Sequence, residues 1–182
     1  MRSICSAAAV FGLIFGFAAL PLFGEEPGGP AAGSGAEAVP FEVFGYPYFV
    51  KNTVSPPEGE SALALVLGSP ESFSGTFGIG MVMGKRPKLI GADYFKTHEV
   101  IAFVEWGPTP WEYTVRSAVR TGNELIFKVT RTGTPSPSAT FAPRLILGVD
   151  RESLEGTEKI TFHLASDNAP EDESGETFSV SR

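Results

Sequence analysis

Glu99-Val100-Ile101-Ala102-Phe103-Val104-Glu105-Trp106 is the stretch that decides the fold class. Side chains alternate along an extended strand. Val100, Ala102, Val104 and Trp106 therefore fall on one face, and Ile101 and Phe103 on the other. Both faces are apolar, so this strand needs cover on both sides and belongs at the centre of a sheet between packed layers.

The neighbouring segments extend the pattern. Downstream, Trp111, Tyr113, Val115 and Val119 alternate with Glu112, Thr114, Arg116 and Arg120, a strand with one wet face. Leu125, Phe127 and Val129 follow after Gly122-Asn123. A two-residue Gly-Asn loop would pair Val119 with Ile126 and Ala118 with Phe127, which puts the apolar rows on opposite faces. Parity therefore predicts a three-residue loop, Thr121-Gly122-Asn123, pairing Val119 with Leu125 and Val115 with Val129 and leaving Asn123 left-handed.

Phe141 to Val149 reads as a further strand, with Pro143 near its start marking an edge or an opening position. Lys159 to Leu164 closes the set, with Ile160, Phe162 and Leu164 inward. Upstream, Phe41 to Val50 is aromatic and β-branched, broken by Gly45 and Pro47. Leu63, Leu65 and Leu67 fit a buried strand or a short helix. Ser69-Pro70-Glu71 is a helix start: a hydroxyl cap, proline in the first turn and an acid near the positive end of the dipole. Phe73 and Phe77 would share one face of that helix. Many short strands, tight turns and one helix predict a mainly β fold, an antiparallel β-sandwich or half-open barrel with one short helix, over residues 40–164.

The flanks read differently. Met1-Arg2-Ser3 followed by an apolar run to Phe23 and by Gly24 has the layout of a secretory signal peptide over residues 1–24. An uncleaved leader would be the domain's route to a membrane. Residues 25–39 have a Gly, Pro, Ala and Glu composition that predicts a flexible linker, and residues 165–182 a disordered acidic tail. The sole cysteine of the 182 residues, Cys5, leaves with the leader, so neither a disulfide nor a thiolate site is expected in the mature chain. Net charge is −7 and becomes −8 without Arg2. Nucleic acid is excluded as a partner because phosphate binding needs a basic face; Lys85-Arg86-Pro87-Lys88 reads as a solvated loop.

Reactive residues are sparse. His163 alternates with core positions and falls on a wet face. His98, beside Glu99 and near Asp93, could be a base with an orienting carboxylate, or part of a polar turn before the buried strand. No nucleophile motif accompanies it. Spacings that hold zinc or calcium are missing. Gly78-Ile79-Gly80-Met81-Val82-Met83-Gly84 has its third glycine one residue late for a dinucleotide loop, and reads as a glycine-softened strand or bulge. Neither a catalytic residue, a metal site nor a cofactor is expected.

Trp106-Gly107-Pro108-Thr109-Pro110-Trp111 differs in kind. It joins two strands through a loop stiffened by two prolines and bracketed by two tryptophans. Stiff aromatic loops lose little entropy on binding and offer large contact area. Gly107, Pro108, Thr109, Pro110 and Trp111 are accordingly the candidate partner-binding loop; the alternative is that both tryptophans cover the end of the core.

Asp93-Tyr94-Phe95-Lys96-Thr97-His98-Glu99-Val100-Ile101-Ala102-Phe103-Val104, followed by Gly107 to Tyr113, resembles the C-terminal domain family of the protease complex subunit PrcB. Gly122-Asn123-Glu124-Leu125 matches that family's hairpin turn, and Ala142-Pro143-Arg144-Leu145-Ile146-Leu147 resembles its later strand. Phe49-Val50-Lys51-Asn52 and the Ser69 to Phe77 helix match its front end, so the resemblance spans roughly residues 41–164. Trp111-Glu112-Tyr113 departs from the family's Gly-Gly-Tyr. The resemblance implies an exported, non-catalytic domain that in some relatives accompanies a protease. Its expected partner is an exported protein. The alternative function is a carbohydrate-binding β-sandwich using exposed aromatic rings.

Overall fold

Strand β6 (His98–Glu105) is central, with β4 (Ala62–Leu67) on one side and β9 (Arg144–Asp150) on the other. The computed structural model describes residues 35–81, 84, 87–166 and 175–182. Val100 to Val104 are all fully buried, as the doubly apolar stretch requires. Adding β2 (Glu42–Phe44) beside β9 gives a four-stranded antiparallel sheet in the order β2-β9-β6-β4.

Ile101 and Phe103 face a second sheet of five strands, ordered β1-β7-β8-β10-β11. These are β1 (Ala36–Ala38), β7 (Glu112–Thr121), β8 (Glu124–Thr132), β10 (Lys159–Ser166) and β11 (Glu176–Ser181). Between the sheets lie Phe103, Leu125, Phe127, Leu147, Ile160 and Phe162, each fully buried. The fold is a β-sandwich rather than a closed barrel. Strands β8 and β10 pair in parallel because the chain crosses to the first sheet, forms β9 and returns.

Val100, Ala102 and Val104 face away from that core, towards a third layer. Helix α1 (Pro70–Thr76), the two-stranded pair β3 (Tyr48–Val50) and β5 (Phe77–Ile79), and a 3-10 turn at Ala92–Lys96 supply Tyr48, Phe73, Phe77 and Phe95 against them. Ser69 caps α1 through the Ser72 amide at 3.2 Å, and the Ser72 hydroxyl accepts from the Ser69 amide. Such a reciprocal box satisfies two otherwise orphaned donors. Phe77 lies beyond the helix, where β5 starts, yet its ring centroid is 5.3 Å from that of Phe73. Leu63 to Leu67 form the strand of the two alternatives. Pro143 precedes β9, an opening position that leaves the ladder intact.

Three expectations need correction. The β7–β8 loop has two residues: Thr121 pairs with Glu124 and Val119 with Ile126. Within that loop Gly122 is left-handed, at φ +61°. Parity is restored by a bulge instead, since Val115 pairs with Val129 but Ser117 with Lys128, leaving Arg116 extra. An added residue flips the faces of everything beyond it. Near the turn Ala118 and Phe127 point inward; past the bulge Tyr113 and Val115 do.

The linker and tail boundaries also move. Ala36 to Ala38 pair with Thr121 to Val119, and Val39 is 5 % exposed in the core, so the domain begins before residue 40. The Val39 amide donates to the Ala118 carbonyl at 2.9 Å, because β7 offers a free edge there. In the acidic tail, Glu176 to Ser181 pair along β10, with Phe178 and Val180 packed on the core. The leader, residues 25–34 of the linker and residues 167–174 of the tail lie outside the described residues, as do Val82 and Met83 of the glycine-rich stretch and Lys85-Arg86 of the basic loop.

Gly148 on β9 is a close-approach glycine. A β-carbon there would lie 1.8 Å from the Tyr94 hydroxyl and 3.0 Å from the Phe44 ring. Gly148→Ala is expected to lower stability by about 1–3 kcal/mol, the range for overpacking, read as a lower urea midpoint at unchanged slope.

Candidate functional site

The segment after β6 is tied down along its length. Trp106 donates its amide to the Ser61 carbonyl at 2.7 Å, and Gly107 and Phe141 exchange amide-to-carbonyl bonds of 3.2 and 2.8 Å. The Ser136 amide reaches the Pro108 carbonyl at 2.8 Å, and the Trp111 amide reaches the Thr109 carbonyl at 3.0 Å. Thr109 is buried, and Gly133 must be a glycine because a β-carbon would meet Thr109 at 2.8 Å and Trp111 at 3.0 Å. Pro108 and Pro110 remain exposed at the rim.

A polar network anchors the loop's last residue. Glu105, on the inward row of β6, accepts from the Trp111 indole nitrogen at 2.9 Å and the Tyr113 hydroxyl at 3.1 Å. Arg131 of β8 donates to both Glu105 oxygens at 3.0 and 2.9 Å, stacks 4.6 Å from the Trp111 ring centroid, and pairs with Glu176 of β11 at 2.7 Å. Burial first, then the Glu105 charge, pushes the Tyr113 hydroxyl far above the usual phenol range. Burial alone would lower the Arg131 pKa; the Glu105 and Glu176 carboxylates outweigh it and raise it.

Of the five predicted loop residues, Pro110 and Trp111 line one shallow depression of about 250 Å³ with Phe141, Ala142, Pro143 and Arg144. Thr109 points inward, Gly107 is taken up by its bridge to Phe141, and Pro108 stands outside the depression. Trp106 packs with the third layer's apolar cluster. Trp106 thus covers core, while the Pro110–Trp111 end meets solvent. Sequence reasoning puts Arg144 only within a strand, and nothing in its local pattern marks its place beside Trp111.

The possible base-and-orienter group does not assemble. His98 and Glu99 are neighbours on a strand and point to opposite faces. His98 stacks on Tyr94, with ring centroids 4.3 Å apart, and its Nδ1 lies 2.8 Å from the Thr97 hydroxyl. Asp93 pairs with exposed Lys96, and Glu99 is buried against Arg182 and Arg151. Burial, then the nearby Glu42 carboxylate, pushes Tyr94 up to about 12, so it is a phenol and not a phenolate base near neutral pH. Among the described residues, no three His, Cys, Asp or Glu side chains come together as metal ligands.

Around the β3–β5 pair, Tyr46, Phe49, Ile79 and Met81 are exposed. Phe49 lies across Gly78, where a β-carbon would be 2.3 Å from the ring. A second depression, about 270 Å³, lies between α1 and the 3-10 turn and is lined by Phe73, Phe77, Ile90 and Phe95 among others.

The chain was compared with protein-family models, curated proteins and solved structures, and none of them matches it.

Proposed function

We propose that this is an exported, non-catalytic interaction module that recognises a partner protein with the rim formed by Pro108, Pro110 and Trp111. The observation that carries this reading is the pinned loop. Its backbone is held by bonds to Ser61, Phe141 and Ser136, and Trp111 by Glu105 and Arg131, while both prolines face solvent. A surface already ordered before contact loses less entropy when a partner docks. The resemblance to the PrcB C-terminal domain family favours a protease or its subunit as that partner. The sugar-binding alternative calls for open ring faces, and Trp106, Trp111 and Tyr113 are all half-buried.

The test is affinity capture from the envelope and secreted fractions with wild type and with the double variant Pro108→Ser, Pro110→Ser. Both positions are exposed, so the fold survives and only the stiffness changes. A stoichiometric partner held by wild type and reduced several-fold by the variant is the expected result. Equal recovery by both proteins, or no stoichiometric partner at all, defeats the reading.

A further inference from the structure

The arginines of the sandwich are almost all engaged. Arg120 pairs with Glu37, Arg131 with Glu105 and Glu176, and Arg151 and Arg182 with Glu99. Arg144 is different. It is half-buried at the start of β9 with no counter-charge among the described residues, and its Nε, like that of Arg131, is fully enclosed with no acceptor. Among the described residues, no carboxylate, carbonyl or hydroxyl reaches its guanidinium. Burial alone pulls its pKa below the usual arginine range, with no neighbouring charge to offset it. A chain with 21 acidic against 14 basic residues has no shortage of carboxylates. Leaving this cation desolvated and unpaired costs stability, and such groups concentrate where a ligand supplies the missing charge.

The surroundings fit that role. Arg144 lines the depression with Pro110, Trp111, Phe141, Ala142 and Pro143. Apart from the guanidinium, the side chains of that wall are prolines, an alanine and two aromatic rings. A carboxylate entering it would find one planar, fork-shaped donor in a partly dehydrated setting, where charge-assisted hydrogen bonds are strongest. Trp111 is held by Glu105, so it cannot swing in to cover the arginine without breaking that bond.

We infer that Arg144 and the Pro110–Trp111 wall form a carboxylate-binding site for an acidic side chain or a chain-terminal carboxylate of the partner. This rests on the interaction-module reading and names the chemistry that the rim would recognise.

Nitrogen-15 correlation spectra of the full domain test it, following the Arg144 Nε–H and Trp111 indole signals. The probes are acetate, N-acetylglutamate α-amide, N-acetylalanine and the neutral N-acetylglutamine amide, with sodium chloride at matched ionic strength. Saturable shifts of both signals with the carboxylates and none with the neutral amide are expected. Comparing the glutamate and alanine derivatives tells a side-chain from a terminal carboxylate. Arg144→Met should weaken carboxylate binding by about tenfold or more, while leaving the urea midpoint equal or higher because no ion pair is lost. A lower midpoint would mean that Arg144 is a structural residue, and would overturn the inference. Shifts that never saturate, or that chloride reproduces, identify an adventitious ion only and also overturn it. Should Arg144→Met leave binding intact while the proline variant still loses its partner, the site fails and the interaction reading stands. A saturating carboxylate site without any captured partner does the opposite: the site stands and the interaction reading fails.

Discussion

Replacing Glu99 by alanine is expected to remove about 3–5 kcal/mol of stability, the penalty for stranding one side of a buried ion pair. Glu99 is 7 % exposed and sits at the inward start of β6. Arg182 grips both its oxygens at 3.0 Å, and the Arg151 guanidinium lies 3.3 Å away. Those guanidiniums have secondary partners: Arg182 donates to the Leu154 carbonyl at 2.8 Å, and Arg151 to the Gly68 carbonyl at 2.6 Å. Neither carbonyl neutralises a charge. With the carboxylate gone, two cations face each other at the mouth of the core, and repulsion drives β11 off the sheet. Urea denaturation measures the loss, and Arg182→Ala combined with Glu99→Ala should recover part of it through the coupling of contacting residues. A loss under about 1 kcal/mol, typical of exposed pairs, would show that this cluster contributes no more than a surface contact.

Phe103→Ala is the second large effect, expected at about 3–5 kcal/mol for a fully buried aromatic cut to a methyl group. Phe103 stands at the middle of β6 and reaches across to the other sheet. Its ring centroid is 5.3 Å from Phe162 on β10, 5.0 Å from Phe178 on β11 and 5.9 Å from Tyr113 on β7. Three strands of the facing sheet therefore lean on one side chain. Emptying the site removes transferred apolar area and leaves a cavity that a stiff sheet cannot close. Hydrogen exchange should show β11 amides losing protection first, since Phe178 is among its few inward residues. Uniform loss across all strands would refute that order.

The central strand, the helix cap and the alternating rows from residue 111 onward are legible because each is a local pattern with one physical solution. The hairpin shows where such logic ends. Parity between Val115 and Val129 correctly demands one extra residue, but that residue sits at Arg116 in the strand, so Val119 falls opposite Ile126 and not in the row of Leu125; a bulge and a longer loop satisfy the same count. The tail misleads for a compositional reason. Its acids outweigh the short alternation Thr177-Phe178-Ser179-Val180, and one of them, Glu176, neutralises Arg131 two strands away in the same sheet. At the rim, the stiffness of 107–111 follows from its prolines. The isolation of Arg144 does not, because whether a charge finds a counter-charge depends on residues far away in sequence.

The charged fastenings of strands β6 and β11 are also matched in spacing. Glu99 and Glu105 are six residues apart, as are Glu176 and Arg182, and the two strands meet through arginines at both ends of the sandwich. A two-residue insertion in β11 would preserve its inward-outward phase, yet displace one fastening by roughly 7 Å. Evolution or engineering can therefore decorate the turns of this domain freely, while the spacing between those two fastenings works as a ruler that tolerates no added length.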